Sequence, residues 1–163
     1  MGLFKKISKA QYVGEVTHIM ERLNDMFDSP IIDKWLVNDL GRRISRLKNE
    51  WGENYDVPKD FLYNSDAMVK MFSGDMQGAL QQSKNSLDES GDRANYLAHK
   101  IRGYVFLHQD NKKPALDEFR MAIKDLKELN KISKTLEDKG FYEGTDEEDY
   151  ELNQLEALIK ENQ

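Results

Sequence analysis

Apolar residues recur at intervals of three and four along most of the chain, the spacing that places them on one face of an α-helix. In the first segment, from Ser8 to about Phe27, the apolar positions are Tyr12, Val13, Val16, Ile19, Met20, Leu23 and Met26. In the second segment they are Leu36, Leu40, Ile44, Leu47 and Trp51. Ser29 and Pro30 precede this second helix, and we expect them to be its N-cap and its first residue.

The rest of the chain has the same periodicity, and no segment alternates with the period of two that is typical of a β-strand. We predict further helices at about residues 58–72, 76–88, 93–108 and 112–139, the last one closed by Gly140. A last short helix is marked by Leu152, Leu155, Leu158 and Ile159. The pattern therefore predicts an all-α fold of about seven helices, with short connections that favour antiparallel hairpins.

We expect one domain spanning residues 1–163, because a chain of this length can bury a sizeable core. Its parts are an N-terminal helical hairpin in residues 8–51, further hairpins in residues 58–139, and an acidic segment with a C-terminal helix in residues 140–163. The stretch GENYDVPKD at residues 52–60 is the clearest break in the helical pattern.

Two segments, residues 73–87 and 109–123, align at a constant offset of 36 residues, close to the length of one helical hairpin with its turns. Around the second segment, small and aromatic residues follow at regular steps: Gly103, Phe106, Ala115, Phe119 and Ala122. This pattern resembles the tetratricopeptide repeat (TPR) over roughly residues 60–127, with one good and one degenerate copy. His99 and Arg102 depart from it, because they stand where the repeat often has Trp and Leu.

The TPR resemblance implies helical hairpins stacked as a short right-handed superhelix, with a groove that binds a peptide or a helix of a partner protein. Gly103 and Ala115 would face each other where two helices cross closely, with Phe106 and Phe119 on either side. The positions that would line the groove are Asn64, Met68, Met71, Lys100, Tyr104, Leu107 and His108. Stripes of this kind also pack protein cores, and the sequence alone leaves both interpretations open.

The amino-acid composition excludes several classes of function, whereas it adds little to the prediction of the fold. The net charge is −6, and the overall acidity removes the positive footprint that a general nucleic-acid binder needs. The absence of cysteine excludes disulfides, Cys-ligated zinc and thiol catalysis, and it fits a reducing compartment, so we expect a cytoplasmic protein. No apolar run is long enough for a transmembrane helix.

Candidates for catalysis or metal binding are few. Glu15 and His18 form one Glu-x-x-His pair, whereas a carboxylate-bridged di-iron bundle needs two such pairs and two further Glu. His99 and His108 lack companion ligands, and the acidic run at 146–149 lacks the alternating Asp and central Gly of a calcium loop. No phosphate loop or nucleophile motif is present. We therefore predict no enzyme activity, no catalytic residues, no metal and no cofactor.

Two basic features leave alternatives open. Residues 3–9 resemble a short interfacial helix, although we expect them to dock on the core rather than contact a membrane. The second helix carries Arg42, Arg43, Arg46 and Lys48, and ion pairing or solvation is commoner for such a cluster than nucleic-acid binding. We predict a non-enzymatic TPR-like interaction module or adaptor that binds a protein or peptide. The alternatives are a self-assembling homodimer and a nucleic-acid or membrane accessory acting through the two basic features.

Overall fold

Seven α-helices follow one another in the part of the chain that the computed structural model describes, residues 7–51, 56, 59–140 and 147–163. They are α1 (Lys9–Asn24), α2 (Lys34–Asn49), α3 (Asp60–Phe72), α4 (Met76–Ser90), α5 (Tyr96–His108), α6 (Lys112–Asp138) and α7 (Glu147–Asn162). A short 3-10 helix, Asp25–Asp28, follows α1. The all-α prediction is confirmed for these residues. The predicted break at 52–60, the basic segment 3–9 and the acidic run 146–149 lie partly or mostly outside them.

The start of α1 follows from a capping box at Ser8. Its hydroxyl accepts a hydrogen bond from the Gln11 backbone N–H at 3.2 Å, and the Gln11 side chain accepts one from the Ser8 N–H at 2.9 Å. Two of the N–H groups that have no partner within the helix are thereby satisfied.

The predicted start of α2 at Ser29 and Pro30 is wrong by four residues. Asp33 is the N-cap, because its carboxylate accepts a hydrogen bond from the Leu36 backbone N–H at 3.0 Å. Ser29 is used differently, since its hydroxyl donates to the carbonyl of Ile31 at 2.7 Å and holds the preceding segment outside the helix. The connection between α1 and α2 is therefore longer than the sequence pattern predicts.

The C-terminal end of α6 agrees with the sequence prediction. Gly140 has a φ of 74°, in the left-handed region that glycine reaches without strain, and the helix ends two residues before it. The last helix is longer than predicted, because α7 spans 16 residues instead of the short segment marked by its leucines.

The chain packs as two compact units, Met1–Glu89 and Ser90–Gln163. In the first unit, α3 packs against both α1 and α2, which also contact each other. α4 is tied back to the start of α3, because the Ser86 hydroxyl donates to the carbonyl of Asp60 at 3.0 Å. The buried apolar side chains of α1 and α2 are Tyr12, Val16, Ile19, Leu23, Val37, Leu40, Ile44 and Leu47.

The second unit is built on an antiparallel hairpin of α5 and α6. Gly103, late in α5, packs against Phe119 in the first half of α6. Asn95, the N-cap of α5, donates its backbone N–H to Asp125, further along α6. The two helices therefore run in opposite directions. α7 packs on α6. The fully or almost fully buried cluster of this unit consists of Ala115, Phe119, Ala122, Leu126 and Leu155.

The boundary between the units falls at Glu89–Ser90, inside the segment 58–139 that the sequence analysis treats as one set of hairpins in a single domain. The two aligned segments, residues 73–87 and 109–123, therefore belong to different units.

Candidate functional site

The predicted groove residues of α3 lie in the interior. Asn64, Met68 and Met71 are all buried, so they offer no surface to a partner in this structure. The physical reason is the position of α3, which is covered by α1 on one side and α2 on another. Of the two interpretations that the sequence leaves open for these three residues, packing in the core is the one that their burial favours.

Lys100, a predicted groove residue of α5, is also buried. Its ammonium group pairs with the carboxylate of Glu151 on α7, and only 4% of the Lys100 side chain and 11% of the Glu151 side chain are exposed. A buried charge of this kind requires a partner of opposite sign close by. Lys100 therefore joins α5 to α7 within the second unit.

The other three predicted groove residues of α5 are more accessible. Tyr104 is half-buried and packs edge-on against the ring of Phe119, with 5.5 Å between the ring centroids. Leu107 is half-buried against the same cluster, which Leu155 of α7 completes, and His108 is exposed. A continuous groove made of all seven predicted residues is therefore not available on the surface, because four of them are buried.

Gly103 allows the close approach of α5 and α6, and the ring of Phe119 fills the space beside it. A methyl group added at Gly103 would lie 2.9 Å from Phe119 Cζ and closer still to two other atoms of that ring. Ala115 is the residue that the repeat pattern places opposite Gly103. Ala115, Phe119 and Ala122 are nevertheless all fully buried, as the repeat pattern implies.

His99 and Arg102 form a half-buried charge network with two carboxylates of α6. His99 Nδ1 lies 2.7 Å from Glu118 Oε2, and Arg102 Nε donates to Glu118 Oε1 at 2.7 Å. His99 Nε2 lies 3.9 Å from Asp125 Oδ2, and Asp125 also accepts a hydrogen bond from the Asn95 backbone N–H. Burial raises the pKa of Glu118, but the hydrogen bonds from His99 and Arg102 outweigh it and leave that pKa below its ordinary value.

This network ties the two helices of the hairpin together. Its polar groups are directed at one another, an arrangement that stabilises α5 against α6. In the described part of the chain, no group of three or more His, Asp or Glu side chains is placed to hold a metal ion. Glu15, of the Glu-x-x-His pair, is paired with Arg43 and Arg46, and His18 is exposed.

The outer face of α2 is the most unusual surface of the described residues. Trp35 is 84% exposed, and Ile31, just before the helix, is 79% exposed. The buried residues of α2 are Val37, Leu40, Ile44 and Leu47. With 3.6 residues per turn, Trp35 points away from that stripe, and Asp39, Arg42 and Arg46 share its side of the helix. These four residues and Ile31 are called the α2 outer face below.

Charge along the α2 outer face changes sign from one end to the other. Asp39 lies one turn after Trp35, and exposed guanidinium groups follow at Arg42 and Arg46, while the exposed Asp33 and Lys34 lie at the start of the helix. Among the described residues, neither Asp39 nor Arg42 has an ion-pair partner. Arg46 pairs with Glu15 but keeps 54% of its side chain exposed. The middle of this face, at Asp39 and Arg42, therefore carries charge that no ion pair among the described residues neutralises.

Two of the four basic residues that the sequence analysis groups together point elsewhere. Arg43 Nε donates to Glu15 at 3.3 Å, and Lys48 pairs with the carboxylate of Asp66 on α3. The ion-paired interpretation thus holds for Arg43, Arg46 and Lys48.

Sequence reasoning missed Trp35 and Ile31 as candidate functional residues. The signal that could have found Trp35 is its phase: it lies one third of a turn or more away from every apolar residue of the buried stripe. A large aromatic side chain off the apolar stripe of an amphipathic helix is unusual, and this makes Trp35 a candidate for contact with a partner.

A second apolar surface lies near the end of α6. Ile132 and Leu136 are about half exposed and line an open groove of about 360 Å³ together with Glu128, Lys131 and Thr135. All five residues belong to one stripe of the same helix. The α2 outer face is the stronger candidate, because Trp35 is far more exposed than Ile132 or Leu136 and because unpaired charged residues lie on the same side of the helix as Trp35.

Comparison with known proteins gives no relative: no protein-family model matches the chain, and no curated protein matches it. Among the described residues, no helix has both the length and the apolar character that crossing a membrane requires.

Proposed function

We propose that this chain is a non-enzymatic helical interaction module that binds a protein partner through the α2 outer face. The observation that carries the proposal is the exposure of Trp35. Tryptophan is among the residues that contribute most to protein interfaces, because it has a large rigid apolar surface with few rotatable bonds.

The free energy available at Trp35 is large on the scale of an interface. Burying an aromatic side chain removes about 200 Å² from water, which corresponds to roughly 5 kcal/mol at 25 cal/mol per Å² before the costs of association are subtracted. In the isolated chain this area contacts water and contributes little to folding. A partner that covers Trp35 and Ile31 would therefore bind with a central apolar anchor.

The charges of the α2 outer face indicate what kind of partner fits. The face carries both signs of charge, with Asp39 between Trp35 and Arg42, and it lacks the continuous positive footprint that nucleic-acid phosphates require, so it favours a protein over a nucleic acid. A complementary protein surface carries basic groups opposite Asp39 and acidic groups opposite Arg42. Such an arrangement fixes the register of binding as well as adding to the association rate.

We also propose that α5 and α6 form a TPR-like hairpin within this scaffold. The close approach at Gly103, the three fully buried residues Ala115, Phe119 and Ala122, and the antiparallel direction of the two helices support it. The His99–Arg102–Glu118 network takes the place of the apolar residues that the repeat often has on its first helix.

In-cell photo-crosslinking tests the proposed function. A photoreactive aromatic amino acid is placed at Trp35 in one variant and at Glu21, an exposed position of α1, in a matched control. With the photoreactive residue at position 35 we expect a discrete product in which this chain is cross-linked to a second protein chain. With the residue at position 21 we expect no such product. Equal cross-linking at both positions, or none at position 35, would contradict the proposal.

A further inference from the structure

We infer that the partner of the α2 outer face is a second copy of this chain, packed so that the two α2 helices run antiparallel about a two-fold axis. This inference rests on the proposed function, and it names the occupant of that same surface. The observation behind it is the order of the side chains along α2: Trp35, Asp39, Arg42 and Arg46.

The spacing of these four residues is symmetric. The intervals are four, three and four residues, so they read the same in both directions along the helix. In a two-fold interface, residue i of one copy contacts residue j of the other and residue j contacts residue i. With the axis between Leu40 and Gly41, Trp35 of one copy lies opposite Arg46 of the other, and Asp39 lies opposite Arg42.

The charges match in this register. Each Asp39 carboxylate meets an Arg42 guanidinium group, which gives two ion pairs between residues that have no such partner within the described chain. Each Trp35 ring meets the exposed part of an Arg46 side chain, whose guanidinium group favours the face of an aromatic ring. The aliphatic stem of the arginine covers part of the ring at the same time.

A parallel arrangement of the same two helices is disfavoured. It would place Asp39 against Asp39 and Arg42 against Arg42, and like charges at close range repel. The antiparallel register is therefore selected by charge as well as by spacing. Ile31, in the non-helical segment that leads into α2, is almost as exposed as Trp35 and is available to extend the contact at each end.

Charge reversal tests this inference with variants at exposed positions. Asp39→Arg and Arg42→Asp each replace the two ion pairs of the dimer by repulsion, and neither residue is part of the core. Light scattering after size-exclusion chromatography gives the molar mass of the wild-type chain, of each variant alone, and of their equimolar mixture.

We expect the wild-type mass to rise from 19.0 kDa to twice that value with increasing concentration. Each single variant should raise the dimer dissociation constant by about tenfold or more. The mixture should dimerise again, because a copy with two arginines then faces a copy with two aspartates. A separate variant, Trp35→Ala, should weaken the dimer without changing the helical circular dichroism.

Two results would overturn the inference. One is a wild-type chain that stays at 19.0 kDa up to roughly 100 μM, where a dimer with a dissociation constant of about 1 μM would be almost fully formed. The other is unchanged dimerisation of Asp39→Arg and Arg42→Asp. A monomeric chain whose position 35 still cross-links to another protein in cells would reject the second copy as partner and keep the proposed function. A monomeric chain with no cross-link at position 35 would reject both the homodimer and the proposed function.

Discussion

Gly103 is the residue where the packing of the α5–α6 hairpin is tightest. The Phe119 ring lies in the space that any Cβ at this position would occupy, and Phe119 itself is fully buried. A glycine in the middle of a helix costs about 1 kcal/mol relative to alanine. The glycine is nevertheless suited to this position, because it lets the aromatic ring of Phe119 on α6 pack against the backbone of α5.

Gly103→Ala should destabilise the protein. Overpacking a filled core costs about 1–3 kcal/mol, which outweighs the gain of about 1 kcal/mol in helix propensity. The free energy of unfolding in urea, followed by circular dichroism, measures the difference.

Gly14→Ala is the matched control for this substitution. Gly14 lies in α1, is exposed, and has no atom within 4 Å of the added methyl group. The same chemical change should therefore stabilise the protein by up to about 1 kcal/mol. If Gly103→Ala were as stable as Gly14→Ala, the close approach at Phe119 would not exist in solution.

Glu118 makes the hairpin sensitive to acid. Its pKa lies below the ordinary value of 4.5 because the hydrogen bonds from His99 and Arg102 outweigh its burial. A carboxyl group with a lowered folded-state pKa stabilises the fold above its unfolded pKa, and this stabilisation is lost as the pH falls through the folded value.

We expect Glu118→Gln to reduce the free energy of unfolding at pH 7 by about 1–3 kcal/mol, because it removes charge-assisted hydrogen bonds. The difference between wild type and variant should shrink as the pH is lowered from about 5 to 3. Urea titrations at several pH values measure it. A difference that stays constant over this range would show that the charge of Glu118 is not what stabilises the hairpin.

At the scale of helices, the ion pair between Lys100 and Glu151 joins α5 to α7. Lys100→Met should destabilise the second unit by about 3–5 kcal/mol, because it leaves the carboxylate of Glu151 buried without its cation. Thermal unfolding of the variant checks this.

The control is Lys84→Met, which removes the exposed pair between Lys84 and Asp88 on α4. Exposed pairs contribute about 0–1 kcal/mol, so the control should unfold close to the wild-type temperature. Similar losses in both variants would mean that burial does not distinguish the two pairs.

The ends of the helices could be predicted from the sequence where only one residue was suited to cap the helix, and not where two were. The start of α6 at Lys112 and its end before Gly140 were predictable, because a turn precedes the one and a single glycine closes the other. The start of α2 was not, since Ser29 and Asp33 are both good caps; Asp33 caps the helix, and the Ser29 hydroxyl donates to the carbonyl of Ile31 instead. Local rules cannot weigh two caps that each satisfy a backbone group.

The candidate site was harder to predict than the helices for a tertiary reason. Periodicity gives the apolar face of a helix but not the number of neighbours that cover it. Met68 could line a groove or a core, and it is buried because α1 and α2 both pack on α3. Trp35 is exposed because no described residue covers the side of α2 that faces away from the core. Local sequence patterns do not show whether such a side is covered.

At the scale of the whole molecule, the chain consists of two compact helical units. The second contains the α5–α6 hairpin whose pattern resembles a TPR. The first contains the α2 outer face, which the resemblance does not include. The proposed interaction therefore depends on a surface outside the repeat-like segment.

Hydroxyl-radical footprinting in intact cells tests the central claim, that the α2 outer face is covered by a protein. The rate of oxidation at Trp35 is divided by the rate at Tyr150, which is half exposed on α7, and the ratio is compared with that of dilute purified protein. We predict a ratio several-fold lower in cells, because a bound partner removes Trp35 from solvent. An equal ratio in cells and in dilute solution would contradict the claim.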